Sequence, residues 1–263
     1  MKKLTKLHKK ILRILKQLNQ REYLHHFGPK KYKLFQHIFA LMLMQICKMS
    51  FRRVENFSVL LEIEVPTYSA LCKSRKKIPI DLWQKLLKLT AGLSSGKIAV
   101  DGTGFNKTNP SFHYLKRIDG ANPKNYTKLS ALMDLKTKKF LVMRIRTTPR
   151  HDMQDIKYLL KRISDAKVFY ADKGYCAEWL YEFCYWRGIQ TYIPQKKNVK
   201  LKGFRKIQLE KWDKKEYNKR SNIESGFSAI KRKYGGNVRA KKIEGIRTEI
   251  LCKGIAHNLN LMN

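Results

Sequence analysis

The sequence predicts an α/β fold in which a mixed five-stranded sheet with flanking helices follows a helical N-terminal region. Two observations predict this fold class. Apolar residues recur at spacings of three and four through the first 95 residues, as on one face of a helix, and form short compact runs after the Ser94-Ser95-Gly96 cluster. These later runs alternate between strand-like and helix-like segments. We therefore expect a helical domain over 1–95 and a sheet domain over 96–263.

The N-terminal region is predicted to consist of basic helices. Residues 1–50 contain twelve Lys and Arg residues against one acid, Glu22, and apolar residues from Leu4 to Leu18 recur at helical spacing. This pattern predicts an amphipathic basic helix at the start of the chain. A second and more buried helix is expected from Tyr32 to Met49.

Two further short helices are predicted, Phe51 to Leu61 and Thr67 to Ile78, with a break at Pro66 between them. Together they form a helix-turn-helix-like segment over 50–78. In the second helix the expected inward-facing residues are Tyr68, Leu71 and Ile78, and the expected outward-facing residues are Lys73, Lys76 and Lys77. Such lysines suit a helix that lies against DNA phosphates, and they suit the solvated face of a small bundle equally well.

After Gly96 the predicted order of elements is βββαβαβα. The elements are expected at 97–103, 128–135, 139–147, 152–163, 167–171, 176–187, 190–193 and 214–234. A polar, basic loop rich in Asn, Pro and Gly separates the first two strands. Asp213 and Glu216 resemble a capping box at the start of the last helix, and Gly235-Gly236 ends it. This order is the arrangement of the ribonuclease H fold, which does not by itself define a function.

The composition indicates a folded protein with a polyanionic partner. The chain carries 57 Lys and Arg against 20 Asp and Glu, a net charge of +37, and 43% of its residues are hydrophobic. Its longest nearly apolar run, Ile38 to Cys47, is too short to cross a bilayer, so no membrane span is predicted. The five cysteines are scattered without a C-x-x-C pair, which argues against a disulfide framework and a zinc ribbon and favours reduced cytosolic thiols.

Three acids stand out in a chain with few carboxylates. Asp101 ends the first predicted strand, Asp172 ends the fourth, and Glu224 lies midway along the last helix. Because adjacent strands lie about 4.8 Å apart, carboxylates at neighbouring strand ends can share divalent cations, and a helical glutamate can complete the set. Two such cations can catalyse phosphoryl displacement. Each strand-end aspartate taken singly is also compatible with an ordinary turn residue.

The last predicted helix carries a polar stripe beside its apolar face. At about 100° per residue, Tyr217, Arg220, Glu224 and Lys231 fall within an arc of about 60°. A metal site suits this border of a buried face, whereas an exposed pair between Arg220 and Glu224 would be worth only a few tenths of a kcal/mol.

The other acids have more ordinary interpretations. Asp152 and Asp155 open a predicted helix and are expected to cap its free N–H groups. Asp119 and Asp134 lie in loop and hairpin contexts without a partner at a strand end.

Three segments of the chain resemble insertion-sequence DDE transposases. VDGTGF (100–105) and FYADKGY (169–175) look like the two aspartate segments of that family. Tyr217-x2-Arg220-x3-Glu224-x6-Lys231 looks like its Y-(2)-R-(3)-E-(6)-K signature. The resemblance covers about residues 97–260, and SFRRVENF and PTYSALCKSRKKI are similar, less distinctively, to the N-terminal region of such transposases.

The resemblance implies a ribonuclease H-like catalytic domain with a defined chemistry. Asp101, Asp172 and Glu224 would bind two Mg²⁺ ions, for which Mn²⁺ would substitute. Water would cut at the transposon end to leave a 3′-OH, which would then attack target DNA. The residues implied to hold the DNA end are Tyr217, Arg220 and Lys231. A homodimer would bring two ends together in a cytoplasmic, nucleoid-associated complex.

Two other functions remain open from the sequence. A nuclease of the same fold would hydrolyse DNA without strand transfer. A non-catalytic nucleic-acid-binding relic of a transposase would bind DNA through its charge alone, although the three acids are intact. Inverted repeats flanking the gene, with a short target duplication, would favour transposition over both.

Overall fold

The computed structural model describes residues 2–25, 30–60, 62–107, 126–148, 150–197 and 199–262. The chain divides into two compact units. Unit 1 comprises Met1–Thr90, Phe105–Tyr126 and Ile230–Asn263, and unit 2 comprises Ala91–Gly104 and Thr127–Ala229. This division differs from the predicted boundary after residue 95, because residues 230–263 belong to the same unit as the N-terminal helices.

The described elements follow one another along the chain as two sets. The helices are α1 (Lys2–Gln17), α2 (Leu34–Ile46), α3 (Phe51–Leu60), α4 (Tyr68–Lys77), α5 (Ile80–Ala91), α6 (Met153–Leu160), α7 (Glu178–Tyr185), α8 (Gly203–Leu209), α9 (Lys214–Asn218), α10 (Asn222–Tyr234) and α11 (Ile243–Asn260). The strands are β1 (Lys97–Lys107), β2 (Tyr126–Asp134), β3 (Phe140–Arg146), β4 (Val168–Tyr170), β5 (Gln190–Tyr192) and β6 (Asn237–Val238).

The four helices predicted in the N-terminal region are present as α1 to α4. In α4, Leu71 is fully buried, and Ile78 is buried just after the helix ends. Tyr68 was expected to face inward but is 41% exposed. It lies at the first position of α4, where its ring contacts Phe51 edge-on and the guanidinium of Arg52 lies over it at 4.9 Å, so cation–π contact replaces burial.

The long helix α11 was not predicted, and its burial explains why. It packs against α2 and α4, and it is buried on nearly all sides. Polar residues such as Glu249 and Lys253 are buried within it, so no apolar stripe of helical period appears in the sequence. The Lys253 ammonium donates to the carbonyl oxygens of Gly235 and Asn237 at 2.8 and 2.6 Å, which satisfies its buried charge.

The strands of the sheet agree with the predicted order and add one. The sheet order is β3-β2-β1-β4-β5, with β2 and β3 antiparallel and β4 parallel to both β1 and β5. In unit 1, β6 pairs in parallel with the end of β1, making a sixth strand where five were expected. A two-residue strand is too short to show an alternating pattern. The predicted loop between the first two strands falls largely on residues 108–125, outside the described residues.

The last predicted helix is divided into α9, a 3₁₀ turn over Lys219–Ser221, and α10. The carboxylate of Asp213 caps α9 by accepting from the Lys215 N–H at 2.8 Å, as expected. Glu216 does not complete a capping box, because it accepts from the Tyr170 hydroxyl at 2.8 Å and pairs with Lys219. Gly235, with φ of +88°, ends α10 as predicted.

The core of unit 2 lies between the sheet and the helices α6 and α7. Its fully buried members include Ile98, Val100, Ile156, Leu159 and Leu180. This packing holds the start of β1 in register with β4, where Lys97 to Ala99 pair with Val168 to Tyr170.

Among the described residues, no single helix is both long and apolar enough to span a bilayer. The pair α2 and α3, bent by 105°, reaches that length and composition only when the two helices are taken together.

Candidate active site

Asp101 and Asp172 lie at equivalent positions of neighbouring parallel strands. The register pairs Ala99 of β1 with Tyr170 of β4, and each aspartate follows its paired residue by two positions. Adjacent strands are about 4.8 Å apart, so the two carboxylates are neighbours at the same edge of the sheet. Asp101 was predicted to end its strand, but β1 continues to Lys107, so only Asp172 lies at a strand end.

The turn after β4 holds the Asp172 carboxylate in place. Asp172 caps the 3₁₀ turn Lys173–Tyr175, and its Oδ1 accepts from the Gly174 N–H at 2.8 Å. A methyl group built on Gly174 would lie 2.9 Å from that same oxygen, closer than Cβ atoms approach in real structures. Glycine is therefore required here so that the carboxylate can fold back onto its own turn.

We expect Gly174→Ala to reduce the DNA cleavage that the resemblance implies about tenfold or more while changing thermal stability little, because the methyl group displaces the Asp172 carboxylate and not the core. Cleavage rates and melting temperatures of the two proteins measure this. Gly104→Ala is the matched control, since a methyl group there meets no atom within 4 Å. Equal cleavage by Gly174→Ala and wild type would contradict the assigned role of this turn.

Arg220 joins two of the three predicted acids. Its Nη1 donates to Asp101 Oδ2 at 2.9 Å, and its Nη2 donates to Glu224 Oε1 at 2.5 Å. The guanidinium side chain is 18% exposed and Glu224 is 55% exposed. The planar guanidinium of arginine can donate hydrogen bonds to two carboxylates at once. Arg220 in the 3₁₀ turn and Glu224 at the start of α10 are close enough for one of these bonds.

The electrostatic setting of Asp101 favours a positive charge beside it. Burial raises the pKa of its carboxyl above the ordinary value, and the like charge of Asp172 acts in the same direction. The Gly102 N–H, which donates to Asp101 Oδ1 at 2.7 Å, and Arg220 oppose that shift. Burial by itself would lower the pKa of the Arg220 guanidinium. Its hydrogen bond to Glu224 and the negative charge of Asp101 outweigh burial, so its pKa is raised.

Residues 93–259, which include all three acids and the segment from Tyr217 to Lys231, match the transposase DDE domain family. The chain belongs to this family. The match spans more than half of the chain and confirms the resemblance to DDE transposases; its assignment to the Y-(2)-R-(3)-E-(6)-K branch stays a prediction. No curated protein and no solved structure shows a significant match. Members of the family act on DNA and generally use divalent metal ions.

The three carboxylates are chemically suited to bind a divalent metal ion. Among the residues that the structure describes, no three His, Cys, Asp or Glu side chains lie close enough to hold one metal ion. The expected convergence of Asp101, Asp172 and Glu224 is therefore incomplete. The Arg220 guanidinium binds both Asp101 and Glu224 and lies between them. All three side chains offer the hard oxygen atoms that Mg²⁺ prefers.

The remaining predicted DNA contacts lie in different settings. The ring of Tyr217 contacts Trp212 at 5.1 Å, and Trp212 contacts Tyr192 at 6.2 Å. In unit 1, the Lys231 ammonium lies 5.5 Å from the centre of the Phe105 ring, and burial lowers its pKa. The three lysines of α4 are exposed, as expected: Lys73, Lys76 and Lys77. Their roles in DNA binding stay predictions.

Asp155 does not cap α6 as predicted. It is 1% exposed and accepts from Ser130 Oγ at 2.8 Å, while Arg144 and Arg146 pair with its other oxygen at 3.0 and 2.5 Å. This buried network ties α6 to β2 and β3 and is structural. The capping prediction was wrong because residues distant in sequence supply the positive charge.

Asp152 was also assigned to capping, and the structure gives it no cap hydrogen bond. Its carboxylate pairs with Lys128 of β2 instead. Asp134 accepts from Ser95 and Thr137 N–H groups at 2.5 and 2.8 Å, in keeping with its hairpin context. Asp119 lies outside the described residues.

Proposed function

We propose that this chain cuts DNA at the ends of an insertion sequence and transfers the freed 3′-OH into target DNA. One observation supports this most strongly: Asp101 of β1 and Asp172, just beyond β4, each lie two residues past the last paired residues of these parallel strands, and Arg220 connects Asp101 to Glu224, all within the segment that matches the family. The arrangement supplies three carboxylates and one guanidinium around a single strand edge. Such a set can bind cations and a phosphate together.

The metal ligands in this proposal are Asp101, Asp172 and Glu224, with two Mg²⁺ ions as the cofactor and Mn²⁺ as a substitute. When bound, the ions would activate the attacking oxygen and stabilise the leaving oxygen at the scissile phosphate. Gly102 and Gly174 orient the two aspartates through their N–H groups. Because phosphate and carboxylate offer similar acceptor pairs to a guanidinium, Arg220 can exchange a carboxylate contact for a DNA phosphate.

The proposed DNA surface extends beyond these groups. Tyr217, Arg220 and Lys231 hold the transposon end, and the α4 lysines at 73, 76 and 77 contact phosphates in the N-terminal region. The net charge of +37 favours association with DNA throughout. We further propose a homodimer that pairs two ends, in a cytoplasmic and nucleoid-associated complex.

We expect DNA affinity to fall steeply with salt, since each neutralised phosphate adds a slope of about −0.9 to the dependence of log K on log salt. The double variant Lys76→Gln/Lys77→Gln should reduce the size of this slope by about 1.8. Fluorescence anisotropy with labelled DNA at several salt concentrations measures both.

The matched control removes two exposed lysines of α5 in the same unit, Lys85→Gln and Lys88→Gln. An equal change of slope in both double variants would mean that α4 makes no particular phosphate contact. A flat salt response of the wild type would argue against DNA binding by charge.

The function is tested by incubating the protein with Mg²⁺ and DNA that carries the inverted repeats flanking its gene. A 3′-OH released at the repeat boundary supports the proposal. Cutting without preference for the boundary would favour a nuclease, and binding without cutting would favour a non-catalytic relic.

A further inference from the structure

The carboxylate of Asp152 lies against the backbone beside Asp101. A methyl group built on Gly102 would be 3.0 Å from Asp152 Oδ1, a tight contact that this oxygen could relieve only by moving away from the residue next to Asp101. A methyl group at Gly104, two residues along the same strand, would meet no atom within 4 Å. The close approach is therefore specific to the position that follows Asp101.

Lys128 holds Asp152 in this position. The Lys128 ammonium pairs with Asp152 Oδ1 and donates to the Arg150 carbonyl oxygen at 2.9 Å. The lysine side chain is 17% exposed, so the pair is partly shielded from solvent. Because Lys128 belongs to β2, the neighbour of β1 in the sheet, it anchors the Asp152 carboxylate to the strand beside Asp101.

We propose that Asp152, held by Lys128, is a positioning residue of the catalytic site that fixes the place of Asp101 by lying against the next residue of β1. Because Gly102 directly follows Asp101, a carboxylate held against Gly102 restrains the backbone that carries the Asp101 side chain. This role rests on the proposed function.

The test measures Mn²⁺ binding to the full chain without DNA, by calorimetry and by electron paramagnetic resonance of the free ion. We expect Asp152→Asn and Gly102→Ala each to raise the Kd for Mn²⁺ about tenfold or more, as the loss of an outer-shell partner does at metal sites. Gly102→Ala keeps every charge and only displaces the carboxylate. It also serves if Asp152→Asn does not fold.

Two controls separate positioning from stability. Gly104→Ala should keep the Kd within about twofold of wild type, since its methyl group meets nothing. Asp155→Asn, which breaks the buried ion pairs of α6, should lower the melting temperature and leave the Kd within the same limit.

Wild-type Mn²⁺ affinity in Gly102→Ala would overturn the proposal, even with weakened binding in Asp152→Asn, because the effect would then be one of charge alone. Unchanged affinity in Asp101→Asn would instead contradict the proposed metal site itself, so the two failures are distinguishable.

Discussion

Asp101→Asn and Asp172→Asn should each lower Mg²⁺-dependent cleavage of end-containing DNA by more than about 100-fold, because even the loss of an outer-shell partner of a metal ligand costs about 10- to 100-fold. The change preserves side-chain volume and removes the negative charge on which cation binding depends. Glu224→Gln should behave alike. DNA affinity should change little, since it depends mainly on the basic residues. Single-turnover cleavage and anisotropy on the same preparations measure the two quantities separately.

The matched control for these variants is Asp165→Asn. Asp165 is an exposed acid of the same unit, so its replacement alters the net charge equally without touching the strand edge. Cleavage at the wild-type rate by any of the three site variants would remove that residue from the site.

Arg220→Lys should reduce cleavage at saturating DNA by about 10- to 100-fold, although the charge is retained. A charge-assisted hydrogen bond contributes about 1.5–3 kcal/mol, and lysine cannot reproduce the fork that reaches Asp101 and Glu224 together. Cleavage rate and end affinity, measured separately, assign the loss to chemistry or to binding.

Lys231→Ala provides the contrast, since it should weaken end binding more than cleavage at saturating DNA. If its binding is unchanged across salt concentrations, the cation–π contact with Phe105 is the better explanation of this lysine.

If Arg220→Lys cleaves DNA like the wild type, the guanidinium of Arg220 has no part in the reaction.

The strands of unit 2 could be predicted because each is a compact apolar run bounded by turn residues. Asp101 and Asp172 followed from the order of these strands, since parallel neighbours share an edge. The ion pair between Arg220 and Glu224 was the alternative that helical spacing left open beside a metal site, and the structure shows this pair. These features depend on local pattern and on simple topology, which one sequence displays.

Other features depend on contacts between distant residues, which no local pattern reveals. The pairing of Asp152 with Lys128 joins positions in different elements, and the helix-start context pointed to capping instead. The helix α11 carries buried polar residues that hide its period. The 3₁₀ turn at Lys219 also changes the rotation assumed for a single helix, since such a turn has about three residues per turn.

Strand transfer tests the central claim most directly. The measurement uses the purified protein, Mg²⁺, a DNA fragment bearing the inverted-repeat end and a supercoiled target plasmid, with sequencing of the joined products. We expect covalent joining of the transposon 3′ end to the target in the wild type, and no joined product with Asp101→Asn. Efficient cutting without any joined product, or joining that persists in Asp101→Asn, would contradict it.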